Sequence, residues 1–189
     1  MRQVQIRTGH YYHFYNRGVN GAPIFFCEEN WFFFLQRVRK YFTLELIHVV
    51  AYCLMPNHYH FLVRALHDDV GQEVMQPFTV SYTKAINKQQ ERSGHLFQGP
   101  FQAKLVKDDS YLKWLSRYIH LNPVAAKLVT TPGSWAFSSY QDYIGIRNGT
   151  LPHPEIVLSQ FSSKQAYVDF VETPTASQAG LPADLLFDE

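Results

Sequence analysis

Hydrophobic and polar residues alternate along several short stretches of the chain, a period typical of strands with one buried face. The first stretch covers residues 10–16. A β-rich run over residues 44–54 and a strand over residues 58–65 are joined by the turn Met55-Pro56-Asn57, which predicts a hairpin. A fourth strand is predicted over residues 101–106.

Longer stretches repeat their hydrophobic residues every three to four positions, as amphipathic helices do. They cover residues 28–42, 68–92 and 111–121. The last of them follows Asp108-Asp109-Ser110, which suits a helix N-terminus. Asn122-Pro123 is predicted to end this helix and to begin a further short one at residues 124–128.

The resulting order, β-α-β-β-α-β-α, predicts an α+β fold. We expect a ferredoxin-like split β-α-β sandwich, in which helices cover one face of an antiparallel sheet, followed by a C-terminal helix. Residues 1–145 are expected to form this domain. Residues 146–189 are expected to form an acidic C-terminal extension, with a short helix near residues 163–171 and a mobile end.

The net charge of +1 conceals an asymmetry along the chain. Residues 1–140 carry 15 basic and 9 acidic side chains, a net +6, whereas residues 141–189 carry a net −5. A basic body with an acidic tail favours a polyanion-binding surface, although random variation in surface charge would produce the same pattern.

Composition also indicates where the protein works. No stretch approaches the ~20 apolar residues of a transmembrane helix, and residues 1–7 contain no hydrophobic region of a signal peptide. The two cysteines, Cys27 and Cys53, are too few for a disulfide framework. We therefore expect a cytoplasmic protein without a membrane partner.

Two histidines, His58 and His60, stand two positions apart in the predicted third strand. Their side chains share one face, while Tyr59, Phe61 and Val63 point to the opposite face and into a core. Two imidazoles on one strand provide half of a divalent metal site. The alternative interpretation is a pair of solvated or hydrogen-bonded histidines.

The last long helix carries Tyr118, and Asn122 follows four positions later on the same face. Imidazole nitrogens with an amide oxygen suit Mg²⁺ or Mn²⁺. A metal beside a tyrosine indicates phosphoryl transfer with the tyrosine oxygen as nucleophile, and a cation such as Lys104 or Arg117 would help to form the phenolate. Asn122 is equally well explained as the N-cap before Pro123.

Several segments resemble one family of DNA-processing enzymes. His58-Tyr59-His60 resembles the HUH motif, and the run from Leu54 to Val63 is similar to its form in single-tyrosine HUH transposases. The segment Tyr118-Ile119-His120-Leu121-Asn122-Pro123-Val124 resembles the nucleophile helix of the REP-associated tyrosine transposases. Three further segments resemble that subgroup: Asn16-Arg17-Gly18, Leu96-Phe97-Gln98-Gly99 and Trp135-Ala136-Phe137-Ser138-Ser139-Tyr140. The resemblance extends over about residues 8–145.

This resemblance implies a nuclease that acts on single-stranded or hairpin DNA through a 5′-phosphotyrosine intermediate, with Mg²⁺ or Mn²⁺ as cofactor. It implies that Tyr118 is the nucleophile and that His58 and His60 are metal ligands. Related enzymes place a glutamine ligand where this chain has Asn122, and a basic residue often stands where it has Pro100. Both monomers and homodimers occur among related enzymes.

Basic residues of the chain are candidates for contact with DNA phosphates. They are Arg17, Lys84, Lys88, Arg92, Lys104, Lys107 and Arg117. Lys84, Lys88 and Arg92 form a stripe at helical spacing, which is otherwise explained as a solvated helix face.

Two other functions fit the same residues. One is a DNA-hairpin-binding protein that does not cleave its ligand, and the other is an HUH replication initiator or relaxase. The short chain, and a tyrosine that follows the histidines, disfavour a relaxase.

Overall fold

The computed structural model describes residues 5–174. Its strands are β1 (Tyr11–Arg17), β2 (Ile47–Met55), β3 (His58–Ala65) and β4 (Gln102–Leu105). Its helices are α1 (Glu28–Tyr41), α2 (Gln76–Gln89), α3 (Asp109–Ala125), α4 (Tyr140–Tyr143), α5 (Glu155–Leu158) and α6 (Lys164–Glu172). Within residues 5–174, no helix has both the length and the apolar character needed to cross a bilayer.

The strands form one antiparallel sheet in the order β2-β3-β1-β4. This arrangement confirms the predicted α+β fold. The predicted hairpin between β2 and β3 is confirmed, but Met55 pairs with His58, so the turn consists of Pro56 and Asn57 alone. The helical pattern predicted over residues 68–92 resolves into a π turn at Gly71–Met75 followed directly by α2.

Helices α1 and α2 cover one face of the sheet. Phe34 of α1 and Phe78 of α2 are fully buried and meet edge to face, with ring centroids 4.9 Å apart. They pack on Tyr59 and Phe61 of β3, which are also fully buried. The predicted alternation of β3 is therefore confirmed on this face.

Helix α3 crosses the other face of the sheet, with the shorter helices α4, α5 and α6 beside it. Leu115 and Ile119 of α3 are buried with Cys53 of β2 and Leu62 of β3 in a second apolar cluster. The sheet is thus covered on both faces, because the C-terminal helix of the predicted fold occupies the face that α1 and α2 leave open.

Helix α3 begins where the sequence indicates but ends later. The Asp108 carboxylate caps its first turn by accepting a hydrogen bond from Tyr111 N at 2.7 Å. The expectation that Asn122-Pro123 would end the helix is wrong, since α3 continues to Ala125. Pro123 removes one main-chain donor, but Asn122 O still accepts from Ala126 N at 2.9 Å, so the last turn forms.

Residues 135–139 protect the outer edge of β2. Leu54 N donates to Phe137 O at 2.9 Å, and Ser139 N donates to Tyr52 O at 3.0 Å. The Trp135 indole donates to Leu54 O at 3.1 Å. These bonds use the main-chain groups of an edge that would otherwise be open to another strand.

The described part of the C-terminal extension packs on the domain. The predicted short helix is α6, and its Tyr167 and Val171 are buried in the same apolar cluster as α3. Val49 accepts a hydrogen bond from His153 N at 2.9 Å, which holds the segment before α5 against β2. The mobile end predicted for the chain falls on residues 175–189, outside the described part, and the division at residue 145 stays a prediction.

Candidate metal and nucleophile site

The α3 face of the sheet collects polar side chains from two adjacent strands. His58 and His60 of β3 lie on this face, as their spacing predicts. On β1, Tyr15 pairs with His60 and Arg17 pairs with His58, and directly paired residues of antiparallel strands share a face. His13, two residues before Tyr15, lies on the same face and is fully buried. One end of this face therefore carries a compact group of imidazoles.

His58 lies between two asparagine side chains. Its Nδ1 lies 2.7 Å from Asn57 Oδ1, and its Nε2 lies 3.4 Å from Asn122 Oδ1 on α3. Since an amide oxygen only accepts hydrogen bonds, Asn57 favours the tautomer with the proton on Nδ1. The lone pair of His58 Nε2 then points towards α3.

His60 is oriented by a third histidine. His60 Nδ1 lies 3.0 Å from His13 Nε2 in the interior of the protein. Burial, and then the charges of His58 and His13, lower the pKa of His60 well below its usual value, while a hydrogen bond with Asn122 opposes this shift. Burial and the nearby charge of Lys104 lower the pKa of His13 to about 3. Both rings are therefore neutral at physiological pH.

Tyr118 and Asn122 meet the histidines from α3. The Tyr118 ring lies edge-on to His60, with centroids 5.6 Å apart, and to His13, with centroids 6.3 Å apart. Asn122 Nδ2 donates to Tyr118 O at 3.1 Å, which leaves its Oδ1 directed to His58. The alternative that Asn122 is an N-cap is wrong, because it lies inside α3.

The donor set suits a divalent cation. Two imidazoles and one amide oxygen converge, and the amide of Asn122 contacts both His58 and His60. The second ring nitrogen of each histidine has its own partner, Asn57 or His13, which is the usual support of metal-bound imidazoles. With water or phosphate oxygens at the remaining positions, such a site accommodates Mn²⁺ or Mg²⁺.

Two of the basic residues singled out in the sequence lie at this face. Lys104 of β4 pairs with His13, and its Nζ lies 5.8 Å from the centre of the Tyr15 ring. Arg17 pairs with His58 at the end of β1, where its guanidinium donates to the Gln98 side chain. Lys104 and Arg17 therefore border the histidines on two sides.

Four of the other basic residues, Arg117, Lys84, Lys88 and Arg92, lie away from the site. Arg117 precedes Tyr118, but its Nε donates to Phe170 O at 2.8 Å and its Nη2 to Thr173 O at 3.0 Å. Its guanidinium therefore binds the end of α6 and does not lie beside the tyrosine as expected. Lys84 and Lys88 lie on α2, on the opposite face of the sheet, and Arg92 follows that helix. Lys107 is exposed just after β4.

Sequence reasoning missed His13 and Asn57. His13 alternates with the core residues Tyr12 and Phe14, so its face could have been inferred from the period of two. Its contact with His60 could not, because that contact depends on the register between β1 and β3. The sequence pattern predicts only a turn residue at Asn57, but its side chain also contacts the neighbouring His58 ring.

A second group of possible ligands lies elsewhere among the described residues. Ligand atoms of His67, Asp69 and Glu73 lie within 4.8 Å of one another, and all three side chains are exposed. The group follows the far end of β3, roughly 23 Å along the strand from His58. It therefore takes no part in the site around Tyr118.

The part of the chain that carries the site also matches known proteins. A family model described as transposase IS200-like matches residues 8–122. A Haemophilus influenzae protein named as a REP-associated tyrosine transposase is 27% identical over 101 residues, 48% of this chain and 57% of that relative. The matched part thus spans little more than half of the relative's length.

A solved structure of a REP-associated tyrosine transposase bound to a REP hairpin has a TM-score of 0.60 to this chain. The match is 14% identical and covers 81% of this chain and 96% of the other. This likeness establishes a shared fold. The family model covers more than half of the chain and includes His58, His60, Tyr118 and Asn122, so this protein belongs to the IS200-like transposase family.

Proposed function

We propose that this protein is a metal-dependent, single-stranded DNA transesterase that cuts and rejoins DNA at hairpin or palindromic repeats. The observation that carries the proposal is the meeting of α3 with β3. Asn122 Oδ1 lies 3.4 Å from His58 Nε2, and Tyr118, one helical turn earlier, lies against His60. A nucleophile beside a metal-ligand set, each held on a rigid element, is the arrangement that phosphoryl transfer requires, and this supports the proposal.

In this proposal Tyr118 attacks the scissile phosphorus. A bond forms between the tyrosine oxygen and phosphorus, the bond to the 3′ oxygen breaks, and that oxygen leaves as a 3′-hydroxyl. The 5′-phosphotyrosine that remains is resolved when another 3′-hydroxyl attacks. Cutting and joining are then one reversible exchange of phosphate esters.

The surrounding residues prepare Tyr118 for this role. His13 and His60 are weak bases because burial depresses the pKa of each, so the phenol proton leaves to solvent. Lys104 supplies a positive charge near the phenolate that forms. Arg17, which pairs with His58, would contact a phosphate of the bound strand.

His58, His60 and Asn122 would hold Mg²⁺ or Mn²⁺, and Asn57 and His13 would orient the two imidazoles. When bound, the metal would polarise the scissile phosphate and reduce the charge repulsion that opposes attack.

We propose hairpin DNA as the partner, in line with the hairpin complex of the structural neighbour. Arg17 and Lys104 would bind near the cleaved strand. Lys84, Lys88 and Arg92 would reach only DNA that extends around the opposite face of the sheet. The protein would act as a monomer or a homodimer.

A covalent-adduct assay tests the proposal. Purified protein is incubated with Mg²⁺ or Mn²⁺ and labelled hairpin oligonucleotides from the DNA that flanks its own gene, alongside Tyr118→Phe and an EDTA control. We expect a metal-dependent adduct that the variant does not form, while hairpin binding persists. A Tyr118→Phe variant that still forms the adduct would exclude Tyr118 as the nucleophile. Tight binding without any adduct would favour the non-cleaving hairpin-binding protein.

A further inference from the structure

We propose that Arg117 and His120 are positioning residues, which use α6 to set the rotation of α3 and so the place of Tyr118. This inference rests on the proposed role of Tyr118. It assigns a function to a part of the C-terminal extension, since α6 spans Lys164–Glu172 and lies beyond the residues 8–122 that define the family match.

Arg117 binds the C-terminal end of α6. Its guanidinium donates to the main-chain oxygens of Phe170 and Thr173, at 2.8 and 3.0 Å. These oxygens lie at a helix end, where carbonyl groups have no partner within the helix and carry partial negative charge. The Trp114 and Phe170 rings flank the guanidinium at 5.5 and 5.9 Å. The guanidinium of Arg117 therefore lies in the interface between α3 and α6 and connects the two helices.

His120 makes a second connection between the same helices. It is fully buried, with Nδ1 2.8 Å from the Tyr167 hydroxyl on α6 and Nε2 2.8 Å from Ser139 Oγ. The Tyr167 hydroxyl donates to Ser116 Oγ of α3 at 3.1 Å, and Ser139 Oγ accepts from Tyr52 N of β2 at 2.9 Å. This chain of hydrogen bonds joins α6, α3 and the sheet.

One arrangement of protons gives each bond of this chain one donor and one acceptor, with the Ser139 hydroxyl directed to His120 and not to Tyr52 O, its other acceptor at 3.2 Å. Ser139 donates to His120 Nε2, His120 Nδ1–H donates to the Tyr167 oxygen, and Tyr167 donates to Ser116. Each step uses a single proton, so a neutral His120 is required. Because hydrogen bonds are directional, this chain resists rotation of α3 more strongly than apolar contacts do.

The His120 connection lies on the opposite side of α3 from the nucleophile, and Arg117 lies about 100° around the helix from Tyr118. His120 is two positions after Tyr118, about 200° around the helix, whereas Tyr118 and Asn122 share the face towards the histidines. A rotation of α3 by about 10° would move a side-chain tip ~6 Å from the axis by roughly 1 Å. A displacement of that size can lower a rate by about a hundredfold.

The experiment removes one hydroxyl from this chain. Tyr167→Phe keeps the buried ring but leaves His120 and Ser116 without their shared partner. Tyr82→Phe is the matched control, because its buried hydroxyl donates to Ile24 O at 2.8 Å on the other face of the sheet. A second pair, Arg117→Ala and Arg117→Lys, tests the guanidinium and its replacement by another donor.

Single-turnover adduct formation, hairpin affinity and thermal stability are measured for each variant. We expect Tyr167→Phe and Arg117→Ala to slow adduct formation at saturating DNA by ten- to a hundredfold, with hairpin affinity within threefold of wild type. Arg117→Lys should recover part of the rate. Tyr82→Phe should keep the wild-type rate even though it loses about as much stability as Tyr167→Phe. Equal rates for Tyr167→Phe and Tyr82→Phe would overturn the proposal.

Hydrogen exchange of the full-length proteins separates this inference from the proposed function. If α6 holds α3, Tyr167→Phe accelerates exchange of the α3 amides and leaves exchange in β1 and β3 unchanged. Tyr82→Phe leaves exchange in α3, β1 and β3 unchanged. If the wild type forms no adduct while this pattern appears, the transesterase proposal fails and the connection stands. Unchanged exchange in α3 would overturn the connection whether or not the protein cleaves DNA.

Discussion

The two faces of the sheet are made from alternate residues of the same strands, yet their chemistry is opposite. On the α1–α2 face, Phe14, Tyr59 and Phe61 are fully buried among aromatic rings. On the α3 face, the intervening positions include His13 and His60, which are equally buried but polar. A period of two residues thus separates a surface for packing from a surface for chemistry.

The buried histidines lower the stability of the folded protein, and burial elsewhere compensates for this loss. Burying an imidazole without its charge costs stability, and a hydrogen bond between two of them offsets only part of that cost. The aromatic α1–α2 face, together with the apolar cluster around Leu115 and Ile119 on the rest of the α3 face, supplies the stability that the histidine group lacks. We therefore expect substitutions on the aromatic face to change mainly the free energy of unfolding, and substitutions of His58 and its neighbours at the site to change mainly the reaction.

The largest effects should come from His58→Ala and Phe61→Ala, which test this separation directly. His58→Ala should slow metal-dependent adduct formation by about 10³-fold or more, because several kcal/mol of charge stabilisation depend on the metal. Phe61→Ala should lower the free energy of unfolding by about 3–5 kcal/mol through lost burial and a cavity. Urea unfolding and single-turnover kinetics measure the two quantities.

Each variant controls for the other. His58→Ala should change the urea midpoint little, since the side chain is only partly buried. The fraction of Phe61→Ala that remains folded should react at nearly the wild-type rate. A folded His58→Ala protein with unchanged activity would exclude His58 as a ligand, and a stable but slow Phe61→Ala protein would contradict the division between the faces.

A smaller effect should appear in the pH dependence of stability, measured without divalent metal. The pKa of His13 and that of His120 are each about 3 in the folded protein because both rings are buried, against ~6.5 in the unfolded chain. The unfolded state therefore binds more protons below pH 6.5, so stability falls as the pH falls. Together these two histidines should remove about 2–3 kcal/mol between pH 6 and pH 5.

Two variants check the origin of that slope. His120→Gln should reduce the number of protons taken up on unfolding, to which the slope is proportional, by about one. Tyr82→Phe, on the aromatic face, should lower stability by a similar amount at every pH and leave the slope unchanged. A slope that His120→Gln does not alter would show that this histidine does not contribute to the pH dependence.

The smallest effect should distinguish Lys104→Ala from Lys88→Ala in hairpin binding. Lys104 lies at the histidine face, so its loss should weaken binding by about three- to tenfold and reduce the salt slope by about one. Lys88 lies on α2, and its loss should change affinity by less than about twofold. Titrations at several salt concentrations measure both. Equal losses would indicate that the DNA contacts both faces of the sheet.

Much of this architecture could be predicted from local sequence features. The alternation around His58, the hairpin between β2 and β3 and the start of α3 at Asp108 all depend on residues that are near one another in the chain. The predicted end of α3 is too early because a buried Pro123 is tolerated two residues before the helix ends, where tertiary contacts outweigh the missing hydrogen bond.

The site was predicted only in part, for a different reason. The face shared by Tyr118 and Asn122 follows from helical spacing, but the direction of Arg117 does not. Nothing near Arg117 in the sequence indicates that its guanidinium contacts main-chain oxygens more than fifty residues later. Its positive charge alone suggested a phosphate contact.

Local sequence patterns predict the order of the strands and of the longer helices, and they predict which side chains share a face, but they miss the short helices α4 and α5. Turns, caps and hydrophobic periods are local, so they can be read from neighbouring residues. The contacts between distant residues are seen only in the folded protein: His13 with His60, Asn122 with His58 and Arg117 with α6. Those contacts depend on strand register and on the rotation of α3, which are settled by packing between residues far apart in the chain.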